Sequence, residues 1–238
     1  MATLNLLYKR EFAISDRINI VVPTVGEIIN DEDNYYNIVT LLTAMPIDFM
    51  LQLTDAGLDF TNMTAYDLFI IMFPALQSLD THLVFGDLDL SKFDLQLSKQ
   101  TGKPILYDEE NDITINRAIH EQIAVVLRNV HHLEKNRRKP ANKEAKEYML
   151  ERARIKANRN KKRKKESELE QLIVALVNTE QFKYNYKTVK DISIYQFNQS
   201  VRQIIHKVDY DNRMIGVYSG TISTKKLSND DLNWLKHK

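Results

Sequence analysis

The sequence contains no cysteine, and it has only six glycines and five prolines among 238 residues. Without cysteine the chain can form neither a disulfide framework nor a thiolate metal site, and it has no thiol nucleophile. Its glycines form neither the GxGxxG nor the GxxxxGK[ST] pattern, and no GxSxG motif occurs. These absences argue against common nucleotide-binding loops and serine hydrolase sites. We therefore expect a protein that is not an enzyme, with no catalytic residues and no cofactor.

Long hydrophobic runs are also missing. No stretch reaches the roughly 18 to 20 apolar residues that a membrane span needs. The first residues, MATLNLLYKREF, lack the order of basic, apolar and small-residue regions that marks a signal peptide. Hydrophobic residues make up 43% of the chain and charged residues 27%, which is ordinary for a globular protein. The expectation is a soluble protein with no membrane partner.

The net charge of +1 hides a strong asymmetry along the chain. Residues 135–165 contain fifteen Lys or Arg and three acids, a net charge of +12, and the remainder carries −11. The densest part, RARIKANRNKKRKK at 152–165, has nine basic residues in fourteen positions. An acidic body would repel nucleic-acid phosphates at a distance. We therefore favour a solvated or protein-binding face, and nucleic-acid binding remains the alternative.

Candidate binding residues come from this basic block and from the only tryptophan. On a helix the basic side chains would point in almost every direction, which suits phosphate contacts or a protein surface better than base readout. We expect the helix to be exposed and to pack only through Ile155 and a few alanines. The candidate partner-binding or nucleic-acid-binding residues are Arg152, Arg154, Lys156, Arg159, Lys161, Lys162, Arg163, Lys164, Lys165 and Trp234.

Histidines and acidic pairs do not predict a metal site. His131 and His132 are adjacent, so on a helix they point about 100° apart and cannot converge on one ion. His120 is interpreted as an ordinary exposed helix position. Asp87 and Asp89 would share one face of an expected strand and could hold a cation, but no EF-hand spacing accompanies them. The sequence predicts no metal ligands.

Hydrophobic periodicity predicts an α+β fold that is mainly helical. Alternation and turn residues over 83–116 indicate a small antiparallel β-hairpin or three-stranded meander, and a short strand precedes Pro23. Helical spacing occurs in several other segments, and MIGVYSGTIS at 214–223 is interpreted as a bend with short extended pieces. The expected helices cover 35–53 (split at Pro46), 64 to the region of Pro74, 117–134, 142 through the basic block, 167–178 and 193–208, and a short capped helix is expected over the final NDDLNWL at 229–235.

Three parts are expected along the chain. Residues 1–134 would form a helical domain with an N-terminal strand and the β-hairpin. Residues 135–166 would form a basic helical segment. Residues 167–238 would form a C-terminal helical region, packed with the first part as one domain. Within that region, Phe197, Val201 and Ile204 share one helix face and should be buried.

Three stretches carry a resemblance to a known family. LVFGDLDLSKFD, FKYNYKTVKDISIYQFNQSVRQIIHKVDYDNRMIGVYSG and KKLSNDDLNWL resemble proteins of tailed phages and prophages of Gram-positive bacteria. The layout is similar to that of tail or baseplate hub assembly chaperones. This resemblance implies a chaperone or minor structural component of the virion that binds other tail or baseplate proteins, in the host cytoplasm or in the virion. The alternative function is that of a nucleic-acid-binding accessory protein that uses residues 152–165.

Overall fold

The computed structural model describes residues 5–160, 166–228 and 231–235. Within these ranges helices predominate and two small antiparallel sheets occur, so the predicted α+β class is confirmed. The strands are β1 (Glu11–Ser15), β2 (Ile18–Val21), β3 (Asp94–Leu97), β4 (Pro104–Asp108) and β5 (Ile113–Ile115). The α-helices are α1 (Val25–Ile29), α2 (Glu32–Thr43), α3 (Met50–Asp55), α4 (Ala65–Gln77), α5 (His82–Phe85), α6 (Arg117–His131), α7 (Lys143–Asn160), α8 (Glu168–Val177) and α9 (Ile194–Tyr218). Short 3-10 helices cover Pro46–Phe49, Phe60–Asn62, Leu90–Lys92, Val189–Asp191 and Thr224–Lys226.

Side-chain caps explain where two of the helices begin. The Thr64 side chain accepts a hydrogen bond from the Asp67 backbone N–H, and the Asp67 carboxylate accepts from the Thr64 backbone, which starts α4. Ser193 and Gln196 form the same reciprocal box at the start of α9. Such boxes satisfy backbone donors that have no partner inside the helix. Both helices begin where the sequence predicted.

The meander predicted over 83–116 is present but begins later than expected. Strands β3, β4 and β5 pair antiparallel in that order. The residues before them form α5 and a 3-10 helix instead of a strand. Gly86 ends α5 with a positive φ of 60°, and the Asp89 side chain caps the 3-10 helix by accepting from the Ser91 N–H. Asp87 and Asp89 therefore do not lie on a strand, and that expectation is wrong.

The main core contains the β1–β2 hairpin, helices α2, α4, α6 and α8, and the first turn of α9. His120 of α6 belongs to this core and is only 2% exposed, so the expectation of an exposed histidine is wrong. The reason is visible in the helical spacing, because His120 lies on the same face as the buried Ile123 and Leu127. Its ring stacks on Phe69 with 4.3 Å between the centroids.

Helix α9 extends to Tyr218, beyond the end of the helix that was predicted over 193–208. Residues 214–218 belong to α9, so the bend predicted there is wrong, and the chain turns only at Gly220, where φ is +76°. Gly216 lies inside the helix where the returning chain passes closely, since a Cβ at this position would lie 2.6 Å from Cδ1 of Ile222. A glycine in a helix normally suggests a break. Here it permits close packing of the segment after the turn.

Candidate interaction surfaces

Helix α7 is attached to the body through a small apolar contact. Leu150 is buried in a second core cluster with Leu53, Phe60 and other side chains from α3, α4 and the connecting segments. Ile155, which was expected to anchor the helix, is 44% exposed, so that expectation is wrong. Leu150 and Ala153 lie on one side of the helix, and Ile155 lies on the opposite side. Alanine packing was expected, and Ala153 is indeed half-buried.

Acidic residues of the body pair with two cations of α7. The Lys146 Nζ lies 2.7 Å from the Asp59 Oδ1 and 5.2 Å from the centre of the Phe60 ring. The hydrogen bond from Lys146, with those from Thr61, lowers the pKa of Asp59 to about 2. The Arg154 Nη2 lies 3.4 Å from an oxygen of Asp55. Arg154, a predicted binding residue, thus already has an internal partner.

Three other predicted residues form an exposed cationic side of α7. Arg152, Lys156 and Arg159 are exposed, and no ion pair involves them in the part of the chain that the structure describes. The Arg152 guanidinium lies 5.9 Å from the centre of the Tyr148 ring, and Tyr148 is itself 59% exposed. We call Tyr148, Arg152, Lys156 and Arg159 the cationic face. Lys161, Lys162, Arg163, Lys164 and Lys165 lie outside the described residues.

Tyr148 was not among the candidate binding residues predicted from the sequence. It lies four positions before the block at 152–165, and only residues of that block and Trp234 were considered. Four residues is one helical turn, which places a side chain next to Arg152 on the helix surface. The i, i+4 spacing was therefore the available signal.

Trp234, the remaining predicted residue, lies against α9. Residues 231–235 form turns, so the short helix predicted around Trp234 is wrong for these residues. Its ring lies 5.8 Å from the Lys207 Nζ, and its carbonyl oxygen accepts a hydrogen bond from Gln203 Nε2 at 3.4 Å. The Arg213 Nη1 donates to the carbonyl oxygen of Asp231 at 3.1 Å. These contacts hold residues 221–228 and 231–235, the C-terminal segment, on α9. A partner-binding role for Trp234 stays a prediction.

One apolar stripe runs along α9 and is covered over only part of its length. At its start Ile194 and Phe197 are fully buried, and Val201 and Ile204 pack half-buried against the main core. Burial of Phe197 was predicted. Farther along, the stripe continues through exposed side chains. We call Ile205, Val208, Asn212 and Ile215 the distal stripe.

Among the described residues, no cluster of three His, Cys, Asp or Glu side chains is placed to hold a metal ion. Helices in the same ranges are also too short or too polar to cross a membrane. Two surfaces in these ranges are exposed without being required by the fold: the cationic face on α7 and the distal stripe on α9.

Comparison with protein families gives one similarity. Residues 160–238 match a family described as the YomV second domain, which is a Bacillus phage-type protein family. The matched region includes α8, α9 and the C-terminal segment. This similarity supports a phage origin for the chain. Comparison with curated proteins and with solved structures gives no match.

Proposed function

We propose that this chain is a non-enzymatic bacteriophage protein that acts in tail or baseplate assembly, as a chaperone or a minor structural component. It would act by binding other tail or baseplate proteins, in the host cytoplasm or in the assembled virion. The phage origin is supported by the similarity of residues 160–238 to a phage-type domain family. The assembly role rests on the resemblance to tail and baseplate assembly chaperones.

The observation that carries the binding role is the difference between the two sides of α7. On one side, Lys146 and Arg154 form ion pairs with Asp59 and Asp55 of the body. On the other side, the cationic face is exposed to solvent. A helix that is anchored along one side and displays cations along the other offers a preformed surface to an acidic partner. Complementary charge of this kind steers association and selects the partner.

The experiment that tests this proposal is co-expression with the tail and baseplate proteins of a phage that encodes the chain, followed by size-exclusion chromatography. We expect one of those proteins to co-elute with the wild-type chain. The variant R152Q/K156Q/R159Q should weaken that complex, and the association should fall steeply as salt rises. The control variant K99Q/K103Q/K183Q removes the same charge from exposed lysines elsewhere and should leave the complex intact.

Two results would contradict the proposal. If no tail or baseplate protein co-elutes at low salt, the assembly role loses its support. If both variants weaken the complex equally, the partner responds to net charge and does not recognise the cationic face.

A second candidate function is nucleic-acid binding, and one observation favours it. Tyr148 is exposed directly beside Arg152, and an aromatic ring next to a guanidinium group can stack on an unpaired base. Against it stands the acidic charge of the rest of the chain, which carries a net −11 outside residues 135–165. Protein binding is therefore the function that we favour.

A salt titration distinguishes the two candidates. Three phosphate contacts from the cationic face predict a slope of roughly −2 to −3 in log K against log salt for single or double strands. Tyr148→Ala should weaken binding to single strands but not to duplex DNA. Absence of binding to both at low salt eliminates this candidate.

A further inference from the structure

Strand β3 forms one edge of the three-stranded sheet, because the strand order is β3, β4, β5. All four of its residues are exposed, and Leu95 and Leu97 are 59% and 70% exposed. The register pairs Leu95 with Leu106 of β4, and Leu106 with Ile115 of β5. Residues that are paired in this way share one face of the sheet. The apolar row that is buried at Leu106 and Ile115 therefore continues into solvent at Leu95.

The backbone groups of Leu95 and Leu97 point away from β4. The Ser98 N–H donates to the carbonyl of Lys103 at 2.9 Å, so Ser98 directs its backbone groups toward β4. Leu97 lies opposite Pro104, which has no N–H and cannot complete a hydrogen-bonded pair. Hydrogen-bonded and non-hydrogen-bonded positions alternate along antiparallel strands. The N–H and C=O groups of Leu95 and Leu97 consequently lie at the free edge of the sheet.

The two outward positions of β3 lack the usual protection against pairing with another strand. Natural sheet edges are often protected by charged side chains, proline or a β-bulge. Both outward positions are leucine, and the register of β3 with β4 contains no bulge. The β1–β2 hairpin, in contrast, has an irregularity between Ala13 and Ser15. An apolar edge with free backbone groups is a site where a further strand can be added.

We infer that the added strand is β3 of a second copy of this chain, antiparallel to the first and with the two Gln96 residues opposite each other. The sequence Leu-Gln-Leu is symmetric about Gln96. A two-fold axis at this residue places Leu95 opposite Leu97 of the second copy, and the reverse pair forms by symmetry. Both pairs are at outward backbone positions, so four N–H···O=C bonds form and the four leucines share one face. An isologous interface requires such self-complementarity.

Neighbouring registers form fewer hydrogen bonds. A two-fold axis at Leu95 would pair Leu97 with Phe93. The Phe93 N–H already bonds the preceding 3-10 turn, and its carbonyl accepts from the Gln77 amide at 2.9 Å. An axis at Leu97 would pair Leu95 with Lys99, which lies in the turn beyond the strand. Each of these registers keeps only the pair on its axis, so the register centred between the two leucines is favoured.

Charge on the other face of the sheet favours the same occupant. In the inferred register Ser98 lies between Lys103 of its own β4 and Asp94 of the second copy. The small Ser98 side chain leaves the Lys103 ammonium group able to reach that carboxylate. Lys103 and Asp94 are both exposed, and neither forms an ion pair in the part of the chain that the structure describes. The two-fold axis forms the contact twice, so the edge is complementary in charge to a second copy of itself.

Sedimentation velocity over a range of protein concentrations tests the self-association. Because a four-residue strand forms a small interface, we expect a reversible dimer, and association should stop at two copies because each pairing uses both β3 edges. L95K/L97K brings four ammonium groups together and should remain monomeric. The matched control I205K/I215K introduces the same charges at exposed isoleucines of α9 and should dimerise like the wild type. A wild-type chain that is monomeric at every concentration overturns the inference, as does a dimer that survives L95K/L97K or is lost equally in both variants.

The absence of native cysteine permits a direct test of register. The non-hydrogen-bonded Gln96 pair on the axis has a Cα–Cα distance of about 4.5 Å, which lies within the range of a disulfide. Q96C should therefore form a linked dimer rapidly on mild oxidation. The control D94C, on the same face of the same strand, should not, because the two Asp94 positions are roughly 13 Å apart along the strands. Absence of linkage in Q96C, or linkage of D94C at the same rate, overturns the register.

Charge reversal tests the contact between Asp94 and Lys103. D94K should raise the dissociation constant of the dimer roughly tenfold, because two repulsive contacts replace two attractive ones. D94K/K103D restores opposite charges and should recover most of the loss. Absence of recovery, with both variants folded by circular dichroism, overturns the inferred arrangement.

The self-association and the proposed function can fail independently. The dimer is measured on the chain alone, whereas the proposed function is measured by co-elution of another protein. K99Q/K103Q/K183Q removes the Lys103 contact, so it should weaken the dimer while leaving the complex with a tail or baseplate protein intact.

Discussion

The hydroxyl oxygen of Tyr35 lies 2.9 Å from the Nε2 of His131 and connects α2 to α6 inside the main core. Burial lowers the pKa of His131 to about 4, and the neighbouring His132 contributes to the same shift. Burial also raises the pKa of Tyr35 well above its ordinary value. A neutral imidazole and a protonated phenol are therefore the stable pair, in which the Tyr35 hydroxyl donates to the imidazole nitrogen.

A loss of stability in acid follows from two buried histidines. Burial lowers the pKa of His120 to about 4, as it does for His131, whereas a histidine in the unfolded chain titrates near 6.5. Between these values the unfolded chain binds the protons and the folded chain does not. The free energy of unfolding should therefore be highest above pH 6.5 and fall between pH 6.5 and 4, by roughly 3 kcal/mol per histidine. Urea unfolding at several pH values measures this.

A histidine substitution separates this effect from the titration of carboxyl groups. His120→Phe keeps an aromatic ring against Phe69 and removes one proton-binding site. The decrease in unfolding free energy between pH 6.5 and 4 should then be smaller by roughly 3 kcal/mol. The control His82→Gln alters an exposed histidine and should retain the wild-type slope. If the unfolding free energy of all three proteins decreased equally between pH 6.5 and 4, His120 would not be a source of the acid sensitivity.

Removal of the Phe197 ring should destabilise the fold strongly. Phe197 is 0% exposed and packs edge-to-face against Phe182 with 6.3 Å between ring centroids. Phe197→Ala should cost roughly 3 to 5 kcal/mol because it leaves a cavity. Tyr218→Ala, at a position of the same helix that is 83% exposed, should change stability by no more than about 0.5 kcal/mol. Equal effects of the two substitutions in urea unfolding would show that the first turns of α9 are not part of the core.

The attachment of α7 depends on Leu150 and not on Ile155. Leu150→Ala should cost roughly 2 to 5 kcal/mol and should increase amide hydrogen exchange in α7, because Leu150 is the buried apolar contact of that helix. Ile155→Ala should have an effect within about 0.5 kcal/mol, since that side chain is largely exposed. Protection of α7 that survives Leu150→Ala would show that the ion pairs with Asp55 and Asp59 suffice to hold it.

The N-terminal cap of α9 should contribute less to the free energy of unfolding than Phe197 or Leu150 does. Ser193 accepts a hydrogen bond from the Gln196 N–H, and the adjacent Ile194 N–H donates to the carbonyl of Pro23. Ser193→Ala should cost about 1 kcal/mol. Ser200→Ala removes a hydroxyl that only bonds a carbonyl of its own helix, so it should be close to neutral. A neutral Ser193→Ala in thermal or urea unfolding would contradict the role of the cap.

Features that depend on a few neighbouring residues could be predicted from the sequence. The helices that begin at Thr64 and Ser193, the break at Pro46, and the antiparallel meander within 83–116 all agree with the structure. Local hydrogen bonds and fixed backbone angles decide these features, so the residues that cause them are adjacent in the chain. The segment at 83–92 was misjudged because alternating apolar residues also fit a short helix followed by a capped turn.

The sequence by itself determined the asymmetry of charge, the positions of α4, α6 and α8, and the buried face at the start of α9. Only the tertiary structure decided how each face is used, because coverage depends on residues far away in the chain. It buried His120 behind Phe69, paired Lys146 with Asp59, and returned the C-terminal segment onto one side of α9. The same return left the other side of α9 open at the distal stripe, since one segment of chain can cover only one side of a helix.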